Sequence, residues 1–343
     1  MTMDIVFSID DNFIPQAAAF TASILKHRKM SGAEDRSGLF AFHFLSNGIS
    51  EENREAMTGF IRERGGEAFF YDLGDFEGRL EKILGARPET GRFAKAALGR
   101  IFATEYLPRE VCRYLYLDAD MIARGDIAPL FETDLQGKIL AACAEPTIYE
   151  DLVVRQDGDS EQEGTEQAYF NSGLLLVDRE AWDAAGITEK CLRWYAVHNG
   201  EFEFADQDII NHVLAGKVLA LSQRWNFQTN YHYQSYASLV KRAPWYGKLI
   251  GKEDYDAARR EPVIVHYAGD ERPWIHGNRN PYREAYLESL TETPWADTPQ
   301  ISGKERYMRF YHRVNVLSEK IPGFRALASR IYYRTSVKKK KPS

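Results

Sequence analysis

Two aspartates one residue apart, Asp118 and Asp120, form the pattern in this sequence that most directly indicates chemistry. They follow Arg113 to Leu117, a short run of β-forming residues with an abrupt polar end, which is typical of a central strand in a parallel sheet. Side chains at positions i and i+2 of an extended chain point the same way, so both carboxylates can face one point. Adjacent carboxylates repel each other unless a cation binds them. The spacing therefore predicts a site for a hard divalent cation, and a polar turn without a ligand is the alternative.

The residues around this pair resemble the signature of a known enzyme family. Tyr116-Leu-Asp-x-Asp, followed by Gly125-Asp-Ile-x-Pro-Leu-Phe, is similar to the signature of glycosyltransferase family 8. That family includes bacterial lipopolysaccharide galactosyl- and glucosyltransferases and, more distantly, glycogenin. The resemblance implies a GT-A type fold in which Asp118 and Asp120 hold Mn2+ against the diphosphate of a UDP-sugar.

A second motif lies near the end of the main body of the chain. His266-Tyr-Ala-Gly-Asp-Glu-Arg-Pro-Trp resembles the family's His-x-x-Gly-x-x-Lys-Pro-Trp. The resemblance implies that His266 is the third metal ligand and that Gly269 and Arg272 bind the donor. Two carboxylates and one imidazole favour Mn2+, with Mg2+, which prefers oxygen ligands, as the alternative. Arg272 replaces the family's Lys, which keeps a positive charge near the diphosphate but puts a planar fork in place of a compact ammonium.

The segment Asp10-Asp-Asn-Phe13 follows the first predicted strand, Asp4 to Ile9. The resemblance implies that Asp10 accepts a hydrogen bond from the uracil edge and that Asn12 contacts the nucleoside. Phe13 stands where many family members have Tyr, and its ring still offers a stacking face. A purely structural explanation is that Asp11 or Asn12 caps the next helix.

The run Asp206-Gln-Asp208 begins a predicted helix. The resemblance implies that Asp206 holds hydroxyls of the donor sugar and that Gln207 faces the reacting centre, and both are the candidate catalytic residues. An amide is a poor nucleophile, so a front-face route with retention is favoured, in which the leaving phosphate deprotonates the acceptor. A covalent route through Asp206 is the alternative. Capping of the helix by Asp206 and Asp208 is the structural explanation.

Two further donor-binding candidates come from the resemblance. Arg100, on a helix predicted from Arg92 to Leu107, takes the position of the family's arginine ahead of the metal strand. Asn171 lies in a Phe-Asn-x-Gly motif, and its amide can both donate to and accept from sugar hydroxyls. Gly173 in the same motif predicts a close approach of the backbone to a ligand or to another strand.

Strands and helices alternate along the body of the chain, which predicts an α/β fold with a doubly wound, mostly parallel sheet flanked by helices. The predicted organisation is a GT-A domain at 1–285, a linker at 286–303 and a basic amphipathic segment at 304–343. The polar stretch 151–167 is predicted to be a mobile loop that could close over the site as a lid.

Composition limits the class of protein. The chain has 343 residues, of which 44% are hydrophobic, enough for one large domain with an appendage. Its three scattered cysteines form no CxxC pair, which indicates a reducing compartment. No leader and no run of membrane-spanning length is evident, so the sequence predicts a cytoplasmic protein.

Charge is distributed unevenly along the chain. Residues 304–343 carry 12 Lys and Arg against two Glu, so this segment has a net charge of +10 and the remainder −16. Aromatic and aliphatic residues recur at helical spacing beside the cations, which predicts a segment bound to an anionic membrane surface. The acidic body argues against nucleic acid as the partner. A helix docked on the body is the structural alternative.

The predicted function is therefore a retaining hexosyltransferase that acts on a lipopolysaccharide core or a lipid-linked oligosaccharide. A sugar nucleotidyltransferase also uses a doubly wound sheet with metal-binding carboxylates. It would be expected to have a glycine-rich loop after its first strand, and Asp10 to Phe13 contains no glycine. A non-catalytic scaffold that binds a UDP-sugar at the membrane is the other alternative, and the presence of Gln207 with the complete metal set argues against it.

Overall fold

The computed structural model describes residues 2–28, 39–46, 48–74, 95–147, 168–198, 204–321 and 324. The predicted lid at 151–167 and the lysine run Lys338–Lys341 lie outside the described residues.

A seven-stranded sheet lies at the centre of the fold, in the order β3-β2-β1-β4-β7-β6-β8. Strand β7 runs antiparallel to both of its neighbours, and the other four pairs are parallel. The predicted mostly parallel α/β sheet is thus confirmed. The strands are β1 (Met3–Ile9), β2 (Phe40–Ser46), β3 (Glu67–Asp72), β4 (Arg113–Leu117), β6 (Leu140–Ala144), β7 (Phe170–Asp178) and β8 (Val218–Leu221).

Helices cover both faces of this sheet, which is why strands such as β2 are buried along their whole length. Local signals account for several helix starts. Ser50 caps α2, Asp178 caps α4, and a proline stands in the first turn of α1. The helices are α1 (Ile14–His27), α2 (Glu51–Glu63), α3 (Lys95–Tyr106), α4 (Arg179–Ala184), α5 (Ile187–Val197), α6 (Ala205–Val213), α7 (Tyr236–Arg242), α8 (Tyr246–Leu249), α9 (Lys252–Arg260), α10 (Arg283–Thr291) and α11 (Glu305–Lys320).

Strand β4 divides its side chains between two cores. Leu115 and Leu117 pack in the core that also contains Phe7 and Phe20. Tyr114 and Tyr116 pack in the core on the opposite face of the sheet. The alternation of a strand places the next residue of this second series, Asp118, on the tyrosine side. The alternating burial of β4 therefore places Asp118, the first candidate metal ligand, on the same face of the sheet as Tyr114 and Tyr116.

A second, three-stranded sheet is attached beside the first. Its order is β5 (Met121–Ala123), β10 (Ile264–His266) and β9 (Phe227–Gln228). Strand β10 is antiparallel to β5, and His266 pairs with Met121. Because Met121 directly follows Asp120, this pairing brings the imidazole to the aspartates.

The last described helices pack on the body. Helix α10 runs through the predicted boundary at residue 285 and contacts α1. Helix α11 buries Met308, Asn315 and Ser318 against the body, so the docked-helix alternative describes this part of the 304–343 segment. None of the helices in the described part of the chain has the length and apolar character needed to cross a membrane.

Candidate active site

The structure brings the three predicted metal ligands together at the carboxyl end of β4. One ligand atom each from Asp118, Asp120 and His266 lies within 4.8 Å of the others. The closest measured pair is Nε2 of His266 and Oδ1 of Asp120, at 3.2 Å. The site is therefore built from two strand-end carboxylates and one imidazole delivered by the neighbouring sheet.

A chain of hydrogen bonds determines which nitrogen of His266 faces the aspartates. The backbone N–H of Gly173 can only donate, so the atom of Asn171 that it contacts at 2.9 Å is the carbonyl Oδ1. Asn226 Nδ2 also donates to that oxygen, at 2.8 Å. The remaining Oδ1 of Asn226 lies 3.0 Å from His266 Nδ1, which must then be the protonated nitrogen. The lone pair of Nε2 is thereby directed at the carboxylates, as a metal-binding histidine requires.

This donor set fits a divalent cation with mixed nitrogen and oxygen ligands. Burial would raise the pKa of Asp120, but the imidazole of His266 and the guanidinium of Arg272 hold it at about 2. Burial lowers the pKa of His266, and the Asp120 carboxylate outweighs that effect and raises it. Without a cation, these shifts favour an ion pair between the Asp120 carboxylate and His266, and a cation bound by both side chains would replace the proton on Nε2.

Gly173 makes this arrangement possible. A Cβ atom at this position would lie 2.7 Å from Cε1 of His266 and 2.8 Å from Oδ2 of Asp118. The backbone oxygen of Gly173 also accepts a hydrogen bond from the Asp118 amide, at 2.8 Å. Of the two close approaches predicted for this glycine, to a ligand or to another strand, the structure shows the approach to another strand, β4, with the side chains of Asp118 and His266 also against the glycine.

Arg100 is buried and joins two parts of the site. Its Nη2 lies 2.8 Å from Oδ1 of Asp118 and its Nε 3.0 Å from Oδ2 of Asp206. Nη1 donates to the backbone oxygen of Ser172 at 2.6 Å and to its hydroxyl at 2.8 Å. The guanidinium carbon lies 4.6 Å from the ring centre of Tyr116. Arg100 thus joins Asp118 to Asp206, and its contact with a donor stays a prediction.

Asp206 and Gln207 are both buried beside β7. Burial raises the pKa of Asp206 to about 6, although Arg100 opposes the shift. Its Oδ2 also accepts from the Ser172 hydroxyl at 2.9 Å. Oε1 of Gln207 accepts from the Ser172 amide at 3.0 Å and from Nδ2 of Asn171 at 3.1 Å. The two candidate catalytic side chains are therefore oriented by a strand that is itself part of the site.

The third residue of the Asp206–Asp208 run has a structural role. Asp208 accepts from the backbone N–H of Phe204 at 3.0 Å, at the start of α6, and from the Tyr169 hydroxyl at 2.7 Å. Tyr169 in turn accepts from Nε2 of Gln207 at 3.1 Å. The capping explanation thus fits Asp208, whereas Asp206 is paired with Arg100.

Arg272 lies beside the metal set on the loop that follows β10. Its Nη2 is 3.6 Å from Oδ2 of Asp120, and its Nε donates to the backbone oxygen of Gly269 at 3.1 Å. Gly269 has a φ of +89°, a conformation in which a side chain would be strained. The loop therefore turns back at Gly269 and returns the guanidinium to the aspartates.

The segment predicted to bind the nucleoside lies at the same edge of the sheet, because β1 and β4 are parallel neighbours. Neither Asp11 nor Asn12 caps α1, and Asp10 instead caps the short 3-10 turn Asp11–Phe13 that precedes it, its Oδ1 accepting from the Asn12 amide at 3.0 Å. Asp11 accepts from the Ser50 amide at 2.9 Å, at the start of α2. The ring of Phe13 meets Trp274 edge to face, with centroids 6.5 Å apart. Contact of these residues with uridine stays a prediction.

Ser172 and Tyr169 were not predicted to belong to the site. Ser172 contacts Arg100, Asp206 and Gln207, and Tyr169 orients Gln207. The sequence offered one indication that Ser172 belongs to the site. Its hydroxyl directly follows Asn171 in a strand that is otherwise apolar.

Comparison with known proteins agrees with this geometry. Residues 4–277 match the model of a family described as glycosyl transferase family 8. The chain is 31% identical over 253 residues to lipopolysaccharide 1,2-glucosyltransferase of Escherichia coli K12. The aligned region covers 72% of this chain and 70% of that protein. The chain is 27% identical over 296 residues to general stress protein A of Bacillus subtilis, covering 85% and 94%. The solved structure of the galactosyltransferase LgtC with donor and acceptor sugar analogues has a TM-score of 0.64 and 26% identity, covering 85% of this chain and 96% of that one.

We expect Gly173→Ala to weaken Mn2+ binding by about ten- to a hundredfold, because the added methyl must displace His266 or Asp118. Electron paramagnetic resonance of free Mn2+ during a titration measures this affinity. Gly59→Ala in α2 is the matched control, since a Cβ there meets nothing within 4 Å. Equal Mn2+ affinity in both variants would contradict the placement of Gly173 against the metal set.

Proposed function

The chain belongs to glycosyl transferase family 8, and from this premise we propose that it transfers a hexose, galactose or glucose, from a UDP-sugar to a glycan acceptor. The observation that carries this proposal is the cluster of Asp118, Asp120 and His266 with Arg272 beside it. Two carboxylates, a correctly oriented imidazole and a flanking guanidinium suit a cation and the diphosphate that it binds.

Asp118, Asp120 and His266 would hold Mn2+, with Mg2+ as the alternative. When bound, the cation would neutralise the charge that develops on the departing diphosphate. Arg272 adds a second positive group at the same end of the site, 3.6 Å from Asp120, and its guanidinium would bind oxygens of the same diphosphate.

We propose that the transfer proceeds with retention of the anomeric configuration by a front-face route. Asp206 is the carboxylate available for a covalent route, but its Oδ2 is already engaged by Arg100 and Ser172. A carboxylate held by a buried guanidinium is a weaker nucleophile, so its role in binding sugar hydroxyls is favoured. Gln207 would then stabilise the oxocarbenium-like state, while the leaving phosphate takes the proton of the acceptor hydroxyl.

We further propose that the acceptor is a lipopolysaccharide core or a lipid-linked oligosaccharide, reached from the cytoplasmic face of the membrane. Relatives with lipopolysaccharide glucosyl- and galactosyltransferase names support this class of acceptor. Helix α11 exposes Phe310, with 64% of its surface accessible, and Leu317, with 42%. Arg306, Arg309 and Arg313 are exposed on the same helix. Apolar residues beside cations suit an anionic lipid surface.

The first test is hydrolysis of UDP-galactose and UDP-glucose with and without Mn2+. We expect turnover of one of them with the metal, and loss of turnover in Asp118→Ala, Asp120→Ala and His266→Ala, because each removes a ligand. Asp134→Ala removes an exposed aspartate beyond the site and should behave as the wild type. No turnover of either donor, or full activity of the three variants in chelator, would refute the proposal.

The second test is the stereochemistry of the product. An α-configured donor should give an α-linked product, read from the anomeric proton coupling. Gln207→Ala should lower the turnover number by on the order of a hundredfold or more, because it removes a group placed at the developing charge, while UDP binding is kept. A β-linked product would exclude retention, and unchanged turnover would remove Gln207 from the chemistry.

The third test is binding to anionic vesicles. Each cation near such a surface contributes about 1 kcal/mol, so reversing Arg306, Arg309 and Arg313 to Glu should weaken binding by roughly a hundredfold or more at low salt. Reversing the exposed cations Arg62, Lys217 and Arg260 on the body changes the net charge equally and serves as the control. Co-sedimentation measures the binding, and an equal effect of the two sets would contradict a membrane-binding face on α11.

A further inference from the structure

A buried carboxylate joins helix α11 to the loop that carries Gly269 and Arg272. Only 4% of the surface of Glu271 is exposed. Its Oε1 accepts from Nδ1 of His312 and from the backbone N–H of Arg279, both at 2.9 Å, and its Oε2 accepts from Nδ2 of Asn315 at 3.0 Å. Because a carboxylate only accepts, Nδ1 of His312 is the donor in this pair. Two of the three partners of this carboxylate therefore come from one helix.

The same helix also contacts the backbone of the loop. A Cβ atom at Gly269 would lie 2.8 Å from the hydroxyl of Tyr311. That hydroxyl accepts from the Asp270 amide at 3.5 Å, and Tyr307 donates to the Asp270 carboxylate. Helix α11 thus packs directly against the turn at Gly269, to which the guanidinium of Arg272 is hydrogen-bonded.

We propose that His312 and Asn315 are positioning residues for the donor's diphosphate, acting through Glu271 and Arg272. A buried carboxylate without hydrogen-bond partners is strongly disfavoured, so removing either residue drives Glu271 toward water. Arg272 is the next residue in the chain and is tied to the same turn through Gly269, so it moves with the loop. Its guanidinium then leaves the position beside Asp120.

This inference rests on the proposed function and goes beyond it. His312 and Asn315 lie after residue 277, where the match to the family model ends. A group outside the matched region thus sets the geometry of a loop inside it. The ligand is a nucleoside diphosphate, and the two residues affect the binding of its diphosphate alone.

The experiment compares calorimetric binding of UDP and of uridine, which lacks the diphosphate, in the presence of Mn2+. His312→Ala and Asn315→Ala should each weaken UDP binding on the order of tenfold and leave uridine binding unchanged. Asn315→Asp keeps the side-chain shape but replaces the donor with an acceptor, and it should weaken UDP binding further. Adding Asn315→Ala to Arg272→Ala should cause no additional loss, because both act through the same guanidinium.

Two controls separate positioning from general destabilisation. Lys320→Ala alters an exposed residue of the same helix and should leave the binding of both UDP and uridine unchanged. Leu290→Ala removes a buried side chain of α10 that does not contact Glu271, so it lowers the melting temperature without changing the ratio of UDP to uridine affinity.

The outcomes distinguish this inference from the proposed function. Wild-type UDP affinity in the His312 and Asn315 variants, or an equal loss of UDP and uridine binding, overturns the positioning role alone. If the wild-type protein binds neither UDP nor uridine, the proposed function fails and the inference fails with it.

Discussion

A buried guanidinium between two carboxylates is the interaction on which the site depends. Arg100 contacts Asp118 at the end of β4 and Asp206 in the first turn of α6, and it also contacts Ser172 on β7. The two carboxylates would repel each other, and removing the shared guanidinium would leave the buried charge of Asp206 without its ion-pair partner. The pairing therefore ties a strand of the sheet to the helix that carries Gln207.

The large sheet carries Asp118 at the end of β4, and the small second sheet supplies His266. Pairing of β10 with β5 places His266 opposite Met121, one residue after Asp120. The amides of Asn171 and Asn226 then set which imidazole nitrogen faces the carboxylates. The candidate metal ligand His266 is thus oriented by a series of hydrogen bonds that starts at the backbone N–H of Gly173, a group that can only donate.

Helix α11 contacts the loop that carries Gly269 and Arg272 on one side and is exposed on the other. Its inner face holds Glu271 and the turn at Gly269, and its outer face exposes Phe310 and Leu317. The inner-face contacts with Glu271 and Asp270 are polar, and our proposal assigns the contacts with Glu271 a role in the position of Arg272.

The sequence by itself determined the alternating strands and helices and the pair Asp118 and Asp120, because period-two burial and the Asp-x-Asp spacing are local properties of the chain. The assignment of His266 to the same site came from the resemblance to family 8. Which of Asp206 and Asp208 serves the site, and why position 173 is glycine, was decided only by the tertiary structure. Those answers depend on contacts with Arg100 and His266, which are distant in sequence and meet only when the strands pair in one register. The partners of Glu271 were unpredictable for the same reason, since no local pattern joins a loop to a helix that far along the chain.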